Sequence, residues 1–285
     1  MVWLGAKHGN MSDWLTQRWV QLTGRRVDLS SDGWLDGPIA PTRGVSADYF
    51  EEVARAKGLR VNQPKGATGI LPDFGVLRSR SFMPERVSAS VVDFYEKTSG
   101  YELDAWAQWS GVFRSFGWLL AVLFSRRLQQ LNVPLSGLDT RMGVTNEVLE
   151  LVDDATGVTR HRAWLRRLRG TGHVLYAGFY SACCMPDEGP CVKVVFPLPN
   201  GNAIVFMRTE CREDGSFVIT SAGRRFGDPG FYFTVHGTGG QVWARYVRAM
   251  RETIRVYPAE DGYVRADHAL RFFGLTFLRI YYRGL

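Results

Sequence analysis

Residues 189–220 read GPCVKVVFPLPNGNAIVFMRTECREDGSFVIT, and this stretch decides the fold. It contains three apolar runs, each of strand length and too short for a typical helix. These runs are 191–198, 202–210 and 216–221. The tetrapeptide 199–202 contains Asn-Gly, and 213–215 ends in Asp-Gly, which are typical of tight hairpin turns because these residues adopt positive φ at little cost. The stretch therefore predicts consecutive antiparallel strands.

The same pattern continues on both sides of this stretch. Further predicted strands are 148–152, 159–168, 173–182, 230–236, 251–257, 263–273 and 275–283. Residues 241–250 fit either a helix or a strand. Nothing in 145–235 resembles the crossover helices of a parallel sheet, so the pattern favours an antiparallel barrel or a strongly curved sheet.

The N-terminal half has a helical pattern. Helices are predicted from Ser12 to Gly24, over 47–57 and over 89–98. Within 101–131, large apolar residues recur every three or four positions, which also predicts a helix. We therefore expect an α+β fold with a mainly helical region, 1–134, that packs on an antiparallel β-barrel-like region, 135–285. The two regions are expected either as separate units or as one integrated domain.

The composition excludes several classes of protein. The chain has 285 residues, of which 45% are hydrophobic and 22% charged, and these values exclude intrinsic disorder and a disulfide miniprotein. No secretory signal precedes the 4 cysteines, so reduced thiols and a cytoplasmic location are expected. The apolar stretch 116–124 is about half the ~20 residues that a spanning helix requires. No transmembrane segment is expected, and peripheral contact with a membrane stays open.

Arginine dominates the basic residues: the chain has 30 Arg and 5 Lys, with a net charge of +7. The densest basic run is 160–169. Strand alternation places three of its arginines and one tryptophan on a single face, predicted to be the solvated outer face of the sheet. The members of this face are Arg160, Arg162, Trp164 and Arg166. Because the surplus charge is modest, no nucleic-acid partner is expected.

Sequence motifs for nucleotide, dinucleotide and zinc-protease chemistry are absent. The cysteines, at 183, 184, 191 and 211, have no histidine close in sequence and do not match the compact spacing of a zinc site. No metal and no cofactor are therefore expected.

The aromatic content points to the interior of the sheet as the functional region. The chain has 9 Trp, 17 Phe and 11 Tyr, and many of them lie in the last 60 residues. A barrel of about eight strands has an interior for side chains or one small ligand. We predict that the barrel binds a hydrophobic small molecule (a lipid, isoprenoid or polyketide-like compound), with or without cofactor-free cyclase or isomerase activity. The candidate ligand-binding residues are Tyr232, Trp243, Phe272 and Tyr282.

Two histidines and two carboxylates are the candidate catalytic residues: His268, His236, Asp93 and Glu96. His268 lies on an otherwise apolar strand face, where it is either a hydrogen-bonded core residue or an acid–base group. Asp93 and Glu96 share a helical face, where they are either solvated or act together. An enzyme with dispersed acid–base residues requires a histidine to meet one of these carboxylates or Asp267, which points away from His268. A third alternative is an interaction or membrane-surface protein that uses the Arg-rich face.

Overall fold

A computed structural model describes residues 11–40, 49–111, 144–169, 174–186 and 188–284. Within these ranges the fold is an antiparallel sheet of fourteen strands. The strands are β1 (Arg25–Val27), β2 (Leu59–Asn62), β3 (Leu103–Trp109), β4 (Val144–Asp153), β5 (Thr159–Leu168), β6 (Val174–Met185), β7 (Gly189–Leu198), β8 (Gly201–Cys211), β9 (Phe217–Thr220), β10 (Phe231–His236), β11 (Val242–Tyr246), β12 (Met250–Pro258), β13 (Val264–Phe272) and β14 (Leu275–Gly284).

Ten of these strands close into a barrel. Its order is β8-β7-β6-β5-β4-β3-β14-β13-β12-β9, and the pairing of β9 with β8 completes the ring. β8 also pairs with β10 through its first half, so the sheet branches there and continues through β11 to β1. β3 joins β4 through a single residue pair, Leu103 with Val144, so this junction is the narrowest in the ring.

The strand predictions for the C-terminal half are confirmed. The predicted strand 159–168 coincides with β5, and the ambiguous segment 241–250 contains strand β11. Asn200 takes a positive φ of 57° in the turn between β7 and β8, as its Asn-Gly sequence predicts.

The prediction of a helical N-terminal half is wrong. The described residues contain only three short α-helices: α1 (Met11–Thr23), α2 (Tyr49–Ala56) and α3 (Ala89–Glu96). Residues 103–109, predicted as part of a long helix, form β3. The three-residue spacing of Trp106 and Trp109 mimics a helix, but Leu103 and Ala105 are buried while Asp104 and Trp106 are exposed, which is strand alternation. The rest of that predicted helix, from 112 on, and the boundary at Pro134 lie outside the described residues.

A segment of the N-terminal half fills one part of the barrel. This plug segment, residues 69–101, contains α3 and short 3-10 turns, and its apolar side chains join one buried cluster with the inward face of the barrel. Phe217 of β9 packs on Phe74 at 4.9 Å and on Tyr95 at 5.2 Å between ring centroids. Aromatic pairs of this kind add about 0.5–1.5 kcal/mol each beyond their area burial.

A second buried cluster covers the outer face of β4–β8. The ring centroids of Phe50, on α2, and Phe179 are 5.7 Å apart, and those of Trp34 and Phe206 are 5.2 Å apart. The strands β4–β8 are thus covered on both faces, which explains why β7 reads as a continuous apolar run instead of an alternating one.

Candidate ligand-binding site in the barrel lumen

Beside the plug segment, polar side chains converge inside the barrel. We call this group the lumen cluster, and its members come from five strands, β5, β6, β12, β13 and β14. They are Arg166, Tyr176, Tyr180, Glu252, His268 and Tyr282. Strand register explains the convergence, because Arg166 pairs across β5 and β6 with Tyr176, and neighbours in register project to the same face.

Arg166 is the central group of the lumen cluster. The residue is only 6% exposed, and its guanidinium carbon lies 4.3 Å from the ring centroids of both Trp164 and Tyr176 and 5.3 Å from that of Tyr282. Its Nε atom has no hydrogen-bond partner. No carboxylate of the described residues lies within ion-pair distance of the guanidinium, so an aromatic cage surrounds an unpaired buried charge.

The prediction that Trp164 and Arg166 lie on a solvated outer face is therefore wrong. Alternation along β5 was assigned correctly, but the two faces are reversed: the arginine face points inward, and Ala163 and Leu165 pack under the outer layer. Arg162, on the same inward face, pairs with Glu150 at 2.7 Å and donates to the carbonyl oxygen of Gly69. These two arginines can be buried because protein groups replace the water around their guanidinium groups. Aromatic rings surround Arg166, and the Gly69 carbonyl oxygen of the plug segment accepts a hydrogen bond from Arg162.

The pKa values of Arg166, Tyr176 and Tyr180 all lie above their ordinary values. Burial lowers the pKa of the Arg166 guanidinium, but the hydroxyls of Tyr282, Tyr176 and Tyr180 outweigh this and leave its pKa above the ordinary value. Burial also raises the pKa of Tyr176 and Tyr180, whose hydroxyl oxygens are 2.6 Å apart. At neutral pH Arg166 therefore presents a fixed positive charge beside the neutral hydroxyl groups of Tyr176 and Tyr180.

A histidine and a carboxylate lie together in the same lumen. Nε2 of His268 lies 2.5 Å from Oε1 of Glu252, and the two side chains are 13% and 11% exposed. The angles are not those of a hydrogen bond, so the contact is an ion pair when the imidazole is protonated. The His268 ring stacks on Tyr282 at 6.3 Å, and the Glu252 main chain exchanges hydrogen bonds with Ser221.

Several side chains at the level of this cluster keep part of their surface exposed to solvent. Ile254 and Ala266 pack against the inward-facing core, yet both keep some exposed surface, as do Tyr176, His268 and Tyr282. The apolar side chains of Ile254 and Ala266 therefore lie in the same part of the barrel as the buried Arg166 guanidinium. Such an arrangement is typical of a site for an amphipathic molecule, with a few polar groups that orient it.

The structure brings two of the eight predicted site residues together, His268 and Tyr282. Phe272 lies instead at an exposed hairpin end, 39% exposed. Tyr232 is buried in the outer layer, where its hydroxyl donates to the Asp228 carbonyl oxygen at 2.6 Å. The guanidinium carbon of Arg26 lies 6.0 Å from the ring centroid of Trp243, on β11.

The other predicted catalytic residues do not meet the lumen histidine. Asp93 accepts from Lys97 and Tyr101, and its hydrogen bond to Lys97 contributes most to holding its pKa below the ordinary value. Glu96 accepts from the backbone N–H of Phe74 at 2.7 Å. His236 ends β10, and burial lowers its pKa.

Asp267 points away from His268, as strand alternation predicts, and lines a groove of about 520 Å³ on the outside of the barrel. There Trp106 stacks on Tyr281 at 5.6 Å, and Tyr257 lies 3.4 Å from the Asp267 carboxylate. The carboxylate that meets His268 is Glu252, which sequence reasoning missed. Its position two residues before Ile254 on β12 is the signal that identifies it as inward-facing.

Comparison with known proteins gives one partial similarity. The chain is 27% identical over 217 residues to the uncharacterized membrane protein YndJ of Bacillus subtilis (strain 168). The matched part is 75% of this chain and 38% of that protein, so the chain spans well under half the length of this relative. No family model and no solved structure matches. Among the described residues, no helix is both long and apolar enough to cross a membrane.

Proposed function

We propose that the barrel binds one amphipathic small molecule, with its apolar body in the lumen and its acidic head group on Arg166. The observation that carries this proposal is the buried Arg166 guanidinium, which has no carboxylate partner among the described residues. An unpaired charge is costly to bury, and its cost is offset when a bound anion supplies the missing partner. The three rings around the guanidinium compensate only in part.

A carboxylate is the head group that fits this site best. Guanidinium presents a planar fork that matches two carboxylate oxygens, and neutral tyrosine hydroxyls beside it donate further hydrogen bonds. Ile254, Ala266 and Ile280 offer apolar contacts for an acyl chain on the neighbouring strands. The relative YndJ is described as a membrane protein, which supports a lipid as the source of that chain.

Native mass spectrometry of the freshly purified chain, followed by solvent extraction, tests this proposal. We expect a single adduct of one molecule per chain that extracts as an acidic amphiphile. With added probes, dodecanoate should bind and dodecanol should bind at least tenfold more weakly, because a hydrogen bond to a charged group contributes about 1.5–3 kcal/mol.

The variant Arg166→Met distinguishes binding at this site from nonspecific hydrophobic binding elsewhere on the protein. It should reduce dodecanoate affinity by about tenfold to a hundredfold, for the same reason, and leave dodecanol binding unchanged. Arg80→Met, at an exposed loop position, is the matched control and should bind like the parent chain. Equal binding of dodecanoate and dodecanol, or no binding of either, would overturn the proposal.

A second candidate function is acid–base catalysis on the bound molecule. The close approach of His268 and Glu252 inside the lumen favours it, since a carboxylate beside an imidazole is a frequent general-base arrangement. The probe is 3-oxododecanoate, whose α-proton exchange in D2O is followed by NMR. His268→Gln and Glu252→Gln should each slow the exchange by about a hundredfold or more. A wild-type rate equal to that in buffer would refute this candidate.

A further inference from the structure

The hairpin between β13 and β14 ends in exposed apolar side chains. Phe272, Phe273 and Leu275 are 39%, 77% and 64% exposed. The rings of Phe272 and Phe273 contact one another at 4.7 Å, so the residues form a continuous apolar tip. Large apolar residues gathered on one protruding turn are unusual on a solvated surface and mark a contact site.

The backbone at this tip makes the phenylalanine more unusual. Phe273 and Gly274 both take positive φ, 48° and 84°. A two-residue hairpin turn of this type strongly favours Asn-Gly, and a bulky side chain at positive φ is strained. The same chain places Asn200 at φ 57° in the turn before β8. Folding therefore favours asparagine at position 273, and the phenylalanine requires another explanation.

Arginines without carboxylate partners surround the tip. Arg251 and Arg271 lie directly opposite one another on β12 and β13, a like-charge pair that destabilises a sheet. Phe273 donates its N–H to the carbonyl oxygen of Ala249, which places exposed Arg248 beside the same turn. None of the three arginines forms an ion pair with a described residue, whereas elsewhere on the barrel Arg208 pairs with Glu188.

We infer that this tip docks on an anionic lipid bilayer. Phe272, Phe273 and Leu275 would enter the interface between head groups and acyl chains, and the three arginines would meet anionic head groups. Charge complementarity favours a bilayer: an apolar tip ringed by unpaired cations matches a surface that is negative outside and apolar beneath. Burial of the Phe273 ring in the interface would offset its backbone strain, and anionic head groups would offset the repulsion between Arg251 and Arg271.

Cosedimentation of the full chain with vesicles tests this inference. The chain should bind vesicles of phosphatidylcholine with phosphatidylglycerol, bind phosphatidylcholine alone more weakly, and release from the anionic vesicles as salt is added. Phe273→Asn should reduce the partition coefficient by about tenfold or more, since a phenylalanine side chain no longer leaves water. Replacing Arg251 and Arg271 by Gln should lower it by about fivefold for each charge removed.

A melting measurement and a control variant show whether a loss of vesicle binding is specific to the tip. Phe273→Asn should melt at the same temperature as the parent chain or higher, because asparagine suits the turn, so a loss of vesicle binding cannot come from unfolding. Val158→Asn, at a turn position that is 51% exposed, is the matched control and should bind vesicles normally. Unchanged binding by Phe273→Asn, absence of binding by the parent chain, or self-association that Phe273→Asn abolishes would each overturn the inference.

Discussion

Arg166→Met should remove most of the ligand-dependent stability without unfolding the free protein. Methionine is unbranched and flexible like the arginine stem, though shorter, and it places an apolar side chain between Trp164, Tyr176 and Tyr282. An arginine kept for structure gives a destabilised variant when it is replaced. An arginine kept for a ligand gives a variant that is stable but responds far less to that ligand.

The magnitude follows from the cage geometry. Two ring contacts at 4.3 Å contribute about 2 kcal/mol each when desolvated, and the third, at 5.3 Å, contributes less. Burial of the charge costs several kcal/mol, so the ring contacts offset most of this cost and leave about 1 kcal/mol uncompensated. Replacement of buried charge by packed apolar side chains is often neutral or stabilising. We expect the free energy of unfolding of the ligand-free variant to equal that of the parent chain or exceed it by about 1 kcal/mol.

The assay is thermal and urea unfolding of delipidated protein, with and without dodecanoate. At a ligand concentration of 100 times Kd, the parent chain should gain about 2.7 kcal/mol. For a chain of this size that gain raises Tm by about 5 °C. At the same dodecanoate concentration, Arg166→Met binds tenfold to a hundredfold more weakly, so it should gain only about 0.4–1.4 kcal/mol. Its Tm should therefore rise by about 1–2 °C.

Arg166→Lys is the informative companion variant. It keeps the charge but loses the planar stacking on Trp164 and Tyr176, so it should be less stable than both the parent chain and Arg166→Met. A loss of more than about 3 kcal/mol in ligand-free Arg166→Met, the size expected when a buried structural partner is removed, would refute the reasoning.

Two further predictions concern the plug segment and the outer layer. A β-carbon at Gly69 would lie 2.2 Å from the carbonyl oxygen of Tyr95, so Gly69→Ala should lower the free energy of unfolding by about 2 kcal/mol or more. Gly66→Ala, which meets open space, should have little effect in the same urea titration. Burial lowers the pKa of His161 to about 4, so the unfolded chain binds the extra proton and stability falls as pH drops from about 6.5 towards 4. His161→Gln should remove about 1–2 kcal/mol of that acid-dependent loss, after allowance for partial exposure, as urea titrations at pH 7 and pH 4.5 would show.

Local patterns predicted the strands well because the information lies within each strand and its turn. Short apolar runs and the Asn-Gly and Asp-Gly turns between them identified β7, β8 and β9, and their hairpin partners follow in order. The β3 strand was missed because its pairing with β14 joins Leu103 to Gly284, a contact that no local window contains. Closure of the barrel is likewise a long-range property.

The same limit explains which site residues were found. His268 and Tyr282 were identified since alternation alone places them on apolar strand faces. Arg166 was assigned to the wrong side because an arginine on a strand ordinarily faces water, and its burial depends on β6 and β14 closing around it. Glu252 was missed although its strand position is readable, because it stands next to the charged Arg251.

The pairing of β3 with β14 also affects the time course of synthesis. Translation proceeds at about 5–20 residues per second, so roughly 10–30 s separate the emergence of β3 from that of its partner. Until residues 275–284 have left the ribosome, β3 lacks its long pairing with β14, keeps only the single Leu103–Val144 pair with β4, and the barrel cannot close. An unpaired strand that carries Trp106 is a template for aggregation during that interval. The nascent chain should therefore depend on chaperones until β14 has been made, and slowed translation between β3 and β14 should lower the soluble yield.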